Sequence, residues 1–238
     1  MSDIISIFKK ELRSYFDSPI AYIFMTVFLV LTGWLFYKQF FLSNTASMRF
    51  FFNWLPIMFL IFVPAATMRL WSEEKKLGTM ELLMTLPLRD TDVVTGKFLA
   101  SFAFLSLTIL MSFPLVISVV KLGNPDLGPI IGGYLGAILM GGAYLAIGMF
   151  ASSLTENQIV AFILGVIFCF ILFIIGEDLI LMAAPVVLNP ILKYLGLGSH
   201  FSSIVRGVID SRDIIYYASI ITFFLFLNIR ILESRKWK

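Results

Sequence analysis

Long apolar runs alternate with short polar interruptions along the whole chain. Six runs, at about residues 19–42, 50–70, 98–120, 130–151, 158–176 and 214–232, come near the ~20 residues that carry a helix across a bilayer core. A seventh apolar patch, residues 179–197, is broken by Pro185, Asn189 and Pro190 and reads as re-entrant or interfacial helix. Ahead of the first run, residues 2–17 have helical periodicity. Ile4, Ile5, Phe8, Leu12, Tyr15 and Phe16 fall on one side, Ser6, Lys9, Lys10, Arg13 and Asp17 fall opposite, and Ile7 and Glu11 lie at the margins. Such a helix lies in the membrane interface with its basic face toward headgroups. Ser18-Pro19 then turns the chain, since proline suits the first helical turn. The expected fold is an all-α membrane protein with six transmembrane helices, an N-terminal amphipathic helix (1–18) and a transmembrane domain (19–232). It includes a short outer re-entrant or interfacial segment before the last span and ends in a basic tail (233–238).

The longest polar interruption, residues 69–92, carries its own helix punctuation. Gly78 suits the left-handed position that ends a helix. Thr79 is placed to N-cap a second short helix, with Glu81 in its first turn and Pro87 blocking continuation. Met80, Leu82, Leu83 and Leu86 give that helix an apolar face. Two readings stand side by side: docking into a groove on a soluble partner, or lying back on the chain's own membrane domain.

At 59% hydrophobic and 14% charged residues, the chain lies far from a soluble domain, which is roughly 45–50% apolar and about 25% charged. There is little room for a separate soluble domain. The formal net charge of +3 fits lysine and arginine gathered in cytoplasmic loops better than a nucleic-acid surface. With the N-terminus inside, Lys9, Lys10, Arg13, Arg69, Lys75, Lys76, Arg89, Lys97, Arg230, Arg235, Lys236 and Lys238 are cytoplasmic. Lys38, Arg49, Lys121, Lys193, Arg206 and Arg212 lie outside, twelve against six. Both termini and the 69–92 loop are therefore expected in the cytoplasm. The first apolar run is too long for a signal-peptide core, so no cleavable leader is expected.

One cysteine, Cys169, excludes an internal disulfide and reads as a packing residue; one histidine, His200, excludes a histidine metal cluster. His200, Arg206, Asp210 and Asp213 could meet a metal or a periplasmic partner, or simply solvate the mouth of a bundle. Gly132, Gly133, Gly136, Gly141, Gly142 and Gly148 in the fourth run allow close helix approach, within the bundle or between subunits. Pro56, Pro64 and Pro114 imply kinks. No predicted span carries an ionisable residue away from its ends, as ion-coupled carriers generally require. Ser101, Ser106, Ser112, Thr26 and Thr108 have no base beside them and read as helix-helix hydrogen-bonding groups. No phosphate-binding G-x-x-x-x-G-K-[ST] loop is present, so energy for uphill movement must come from a partner.

The Ser18-Pro19-Ile20-Ala21-Tyr22 entry to the first span and the run Trp71-Ser72-Glu73-Glu74-Lys75-Lys76-Leu77-Gly78-Thr79-Met80-Glu81-Leu82-Leu83 with Pro87 resemble the ABC-2 type transporter permeases. The C-terminal His200-Phe201, Arg206 to Asp210 and Tyr216-Tyr217 elements are similar to the same family. The nearest branch on these residues contains the gliding-motility permease and the copper-processing permease of nitrous-oxide-reductase maturation. The resemblance implies a half-transporter that dimerises, with itself or another permease, in a bacterial inner membrane. Each half engages an ATP-binding cassette subunit on a separate chain, which binds the ATP and magnesium, so this chain itself is expected to hold no cofactor and to be no enzyme. It also implies roles by position. Glu73, Glu74, Gly78, Thr79, Glu81, Leu82 and Leu83 fall in the first coupling helix, within a coupling loop at 71–97. Ser153, Leu154, Thr155 and Glu156 fall in the second coupling loop, and residues 1–18 are the elbow helix. Glu73, Glu74 and Glu81 would meet a basic rim on the cassette, or else form a solvated face with a salt bridge to Lys75 or Lys76. Membrane lipid is a further partner, an accessory periplasmic protein is admitted, and no nucleic acid is expected. A non-transporting scaffold of a motility or envelope-assembly complex, driven by the same kind of ATPase, is the competing reading.

Overall fold

The computed structural model describes residues 2–43, 45–80, 88–208 and 210–235, and every element among them is a helix. The amphipathic start forms α1 (Ser2–Asp17), and Pro19 opens α2 (Pro19–Ser43), as its place after Ser18 predicts. α3 (Arg49–Thr67) accommodates Pro56 and Pro64 and continues across Met68 into the short α4 (Arg69–Lys76). α5 (Asp90–Leu110) and α6 (Phe113–Leu122) are two pieces of one apolar run, broken just before Pro114. α7 (Leu127–Leu154) and α8 (Gln158–Ile174) follow. Three short helices, α9 (Asp178–Ala183), α10 (Asn189–Leu195) and α11 (Leu197–Val205), lead into α12 (Ser211–Arg235).

Among the described residues, five helical stretches are long and apolar enough to cross a membrane: Pro19–Ser43, Arg49–Lys76, Asp90–Leu122, Leu127–Leu154 and Ser211–Ser234. The sequence pattern predicts six. α8, with 17 residues, rises only about 26 Å against the ~30 Å of a bilayer core. It stops early because the chain turns at Gly176, where a Cβ would lie 2.7 Å from Gly196 Cα; the backbone contact cuts the run short. The 28-residue stretch Arg49–Lys76 has the opposite property. At about 42 Å it exceeds the core by about 12 Å, so one end stands clear of the lipid.

α7 is the hub. Within its most apolar window 78% of residues are buried, against 17% for Ser211–Ser234, and it packs on α3, α4, α5, α8, α11 and α12. A helix apolar on all sides belongs in the middle of a bundle, and its glycines let neighbours close in. At Gly148 a Cβ would sit 2.2 Å from Thr67 Oγ1, the hydroxyl that donates to Val63 O at 3.0 Å. The small residues thus serve packing within this chain. Gly148→Val is expected to force α3 and α7 apart at a cost of about 1–3 kcal/mol, seen as a lower melting temperature in detergent. An unchanged melting curve would mean that the two helices do not approach this closely.

α1 packs along α5 through the face that periodicity selects, with Leu12, Tyr15 and Phe16 against Phe104 and its neighbours, but its centre is shifted toward one margin. Ile7, assigned to the margin, is buried and Glu11 beside it keeps 14% of its side-chain exposure, while Ile5 is exposed. The reason lies on α5: a Cβ at Gly96 would be 2.8 Å from Ile7 Cγ2, so the glycine makes room, and Lys97 beside it draws Glu11 inward. Farther along, the Tyr15 ring stacks on Phe104 at 4.8 Å. Its hydroxyl lies 3.1 Å from Ser101 Oγ, and burial pushes it up to about 12, keeping it neutral. Ser101 is therefore a helix-helix hydrogen-bonding group, as expected.

Residues 179–197 form short helices, broken around Pro185 and again at Gly196, with Pro190 in the first turn of α10. Leu179, Met182, Val186, Val187 and Ile191 are exposed. The cluster beyond them departs from a solvated mouth. His200 and Asp213 are buried, with Nδ1 2.6 Å from Asp213 Oδ1, Nε2 2.8 Å from Tyr194 O and the ring stacked on Tyr216 at 3.9 Å. They fasten α11 to α12. Arg206 bonds the Ser202 carbonyl, and Asp210 accepts from Ser211 and Arg212; no group of three or more metal-ligating side chains occurs among the described residues.

Candidate partner-docking site

The first predicted coupling region begins as a continuation of a long helix. α4 buries Leu70, Trp71 and Ser72 and packs them against the end of α7. The first-turn amides of a helix lack intrahelical acceptors. Here Ser152 Oγ accepts from Trp71 N at 3.1 Å and from Ser72 N at 3.2 Å, and donates to Met68 O at 2.8 Å. Lys75 Nζ donates to the Ser153 carbonyl, at the negative end of the α7 dipole. The stem of the first predicted region is thus bolted to the residues where the second predicted region begins.

A second fastening comes from Lys97, two turns into α5 and only 2% exposed. Its ammonium reaches Glu74 Oε1 at 2.7 Å, Glu11 Oε1 at 3.1 Å and Leu70 O at 3.3 Å, over the Trp71 ring at 5.1 Å. A buried ammonium is tolerated only when its charge and its three donors are matched, and all three are. The pairing ties α1, α4 and α5 together at one point. Beside it, Arg69 Nε and Nη2 each donate to a Glu73 oxygen at 2.8 Å.

Gly78 ends the helix as its sequence position predicts. Leu77 N bonds Glu73 O and Gly78 N bonds Lys75 O, and Gly78 takes φ +69°, the left-handed value that favours glycine. Helix resumes at Thr79, whose hydroxyl donates back to Glu74 O at 3.3 Å. Lys76, Leu77, Gly78 and Thr79 are exposed while Met80 is buried. Leu77, at 67% exposed, is the apolar tip of this corner. Glu81, Leu82, Leu83, Leu86 and Pro87 lie outside the described residues. In the second region Ser153 is buried, Thr155 half-buried, and Leu154 and Glu156 exposed. Asn157 Oδ1 accepts from Ile159 N at 2.9 Å and caps α8.

The predicted residues therefore divide. Gly78, Thr79, Leu154 and Glu156 form surface, whereas Glu73, Glu74 and Ser153 hold the fold. Within the chain Glu73 pairs with Arg69 and Glu74 with Lys97, and Lys76 adds a further positive charge near Glu73. Local composition pointed to the adjacent lysines, but a helix brings i and i+4 together, which selects Arg69 for Glu73. Sequence reasoning missed Lys97, Ser152 and Leu77. For Lys97 the signal existed: Val93, Ala100, Ser101 and Phe104, on the same helical face, are all buried.

Ser152→Ala is expected to leave the Trp71 and Ser72 amides without their acceptor, at about 1–3 kcal/mol, read as a lower melting temperature. A loss no larger than that of Ser153→Ala, whose hydroxyl only bonds Phe150 O in its own helix, would count against this anchoring.

A family model described as an ABC-2 family transporter protein matches residues 5–232, from the first turn of α1 to the last turn of α12. No curated protein matches the chain significantly. The matched region spans four of the five membrane-length helices entirely and the fifth to within two residues of its end. The chain belongs to the ABC-2 transporter family.

Proposed function

We infer that this chain is the membrane-spanning permease subunit of an ABC transporter, turning ATP hydrolysis by a separate cassette subunit into export or conformational work across an inner membrane. The observation that carries this reading is the exposed corner Lys76–Thr79 rooted in the fold at two points. Lys97 links it to α1 and α5, and Ser152 with Lys75 links it to α7. A push on the corner reaches three helices at once, including the hub of the bundle. Work passes only if the corner binds the ATP-loaded and ATP-free cassettes with different free energies. The membrane helices then shift as packed bodies. ATP and magnesium belong to the cassette, and this chain contributes neither nucleotide site nor catalytic group.

In this reading α8 is the sixth crossing, short enough to need a locally thinned bilayer. α1 is the elbow helix at the cytoplasmic interface, α9 and α10 lie at the outer surface, and both termini are cytoplasmic by the twelve-to-six count. Two permease chains pair, and the sequence motifs favour the gliding-motility and nitrous-oxide-reductase-maturation branch. Purification in gentle detergent tests this: an ATP-binding cassette subunit is expected in equal number with the permease. Leu77→Asp should reduce its recovery while leaving the amount of permease in the membrane unchanged. A chain that purifies without such a subunit and moves solute unaided would overturn the reading.

A further inference from the structure

Beneath α1, beside the Lys97 junction, lies a half-open pocket of about 310 Å³. Its two ends differ. Ile20, Phe24, Ala65, Ala66 and Phe104 line one end, at the corner between α1 and α2; Lys10, Glu11, Arg69, Glu73, Glu74 and Lys97 line the other. An apolar floor beside a charged rim suits an amphiphile. The volume is that of about ten waters, enough for a phospholipid headgroup and glycerol but not for two acyl chains, which would leave past exposed Ile20.

The rim selects the headgroup. Three cations face three carboxylates, so the rim has no net charge and an anionic headgroup would meet Glu11, Glu73 and Glu74. Arg69 uses Nε and Nη2 on Glu73, which leaves Nη1 for a phosphate. Glu11 and Glu74 each give one oxygen to Lys97 and keep 14% and 19% of their side-chain exposure, so their carboxylates are what a headgroup ammonium would meet. We propose that this pocket binds one zwitterionic phospholipid bearing a primary amine. This rests on the placement of α1 in the membrane interface inferred above.

Native mass spectrometry of the purified chain, titrated with phosphatidylethanolamine, phosphatidylglycerol or inorganic phosphate, tests it. One phosphatidylethanolamine per chain is expected, bound on the order of tenfold more tightly than phosphatidylglycerol, with phosphate alone not competing. Ala66→Phe, which fills the floor, should weaken that binding by on the order of tenfold. Equal binding of both lipids, competition by phosphate, or undiminished binding to a folded Ala66→Phe would each overturn the site. Should Ala66→Phe not fold, a phosphatidylethanolamine with a photoreactive headgroup decides on the unaltered chain. Cross-links should fall within residues 10–24, 65–77 or 97–104, and cross-links confined to other segments would refute it. Thiol labelling of Ser234→Cys in sealed vesicles, against the buried Cys169, reports orientation separately. An outward Ser234 would undo the placement of α1, while the lipid counts would still judge the pocket.

Discussion

Lys97→Met should destabilise the chain by about 3 kcal/mol, the low end of what breaking a buried ion pair costs. Methionine matches the lysine stem in length and stays apolar, so little packing is lost. What remains is Glu11 and Glu74 facing one another with no cation between them, and the Leu70 carbonyl without its donor. The low end applies because the two carboxylates keep 14% and 19% of their side-chain exposure and so reach some water. Glu74→Gln alone should cost less, since Lys97 retains Glu11 and Leu70 O. The triple change Glu11→Gln, Glu74→Gln, Lys97→Met should recover most of the loss, because apolar or neutral replacement of a whole buried pair is often close to neutral. Denaturant titration in detergent reads all three. If Lys97→Met unfolds like the unaltered chain, the junction carries no structural weight.

The same junction should matter for function beyond stability. In the triple variant α1, α4 and α5 still pack but are no longer pinned by charge. A restored melting temperature with poorly restored transport-linked ATPase activity would separate transmission from folding.

Gly78→Val is the second large effect. No heavy atom lies within 4 Å of the position a Cβ would take, so crowding is not the issue. The cost is conformational: φ of +69° is strained for a β-branched residue by about 1–3 kcal/mol. The backbone would relax by swinging the Leu77–Met80 corner away from its present direction. The expected outcome is normal insertion and yield with loss of cassette assembly or of ATPase coupling. Gly78→Asn, which tolerates the left-handed region better, should retain most of it. Equal activity in Gly78→Val and the unaltered chain would show that the corner's shape is not used.

How much of this could be read from the residues depended on range. The apolar runs, the Ser18-Pro19 turn, the break at Pro114 and the Gly78 cap are local, set within a few residues by periodicity and by what proline and glycine allow. The glycine density of α7 announced close packing, though only its neighbours show that the closeness is internal. α8 ends at Ile174, two residues short of the Gly176 to which the apolar run extends, and that end lies beside Gly196, twenty residues on from Gly176. Which edge of α1 faces inward depends on Gly96 and Lys97. The junction itself joins positions 11, 74 and 97, which no periodicity links. Glutamates in a polar loop looked like surface because loops usually are; here the loop starts as the extension of a packed helix, and its carboxylates balance a buried cation.

The central claim is that a separate ATP-driven subunit grips this chain at the exposed corner. A photoreactive amino acid placed at Leu77, activated in native membranes, tests it most directly. Cross-linking to an ATP-binding cassette subunit is expected, and its yield should change when ATP is trapped. No cassette adduct from Leu77, with the corner instead reactive only toward lipid or reagents outside the cell, would contradict the account.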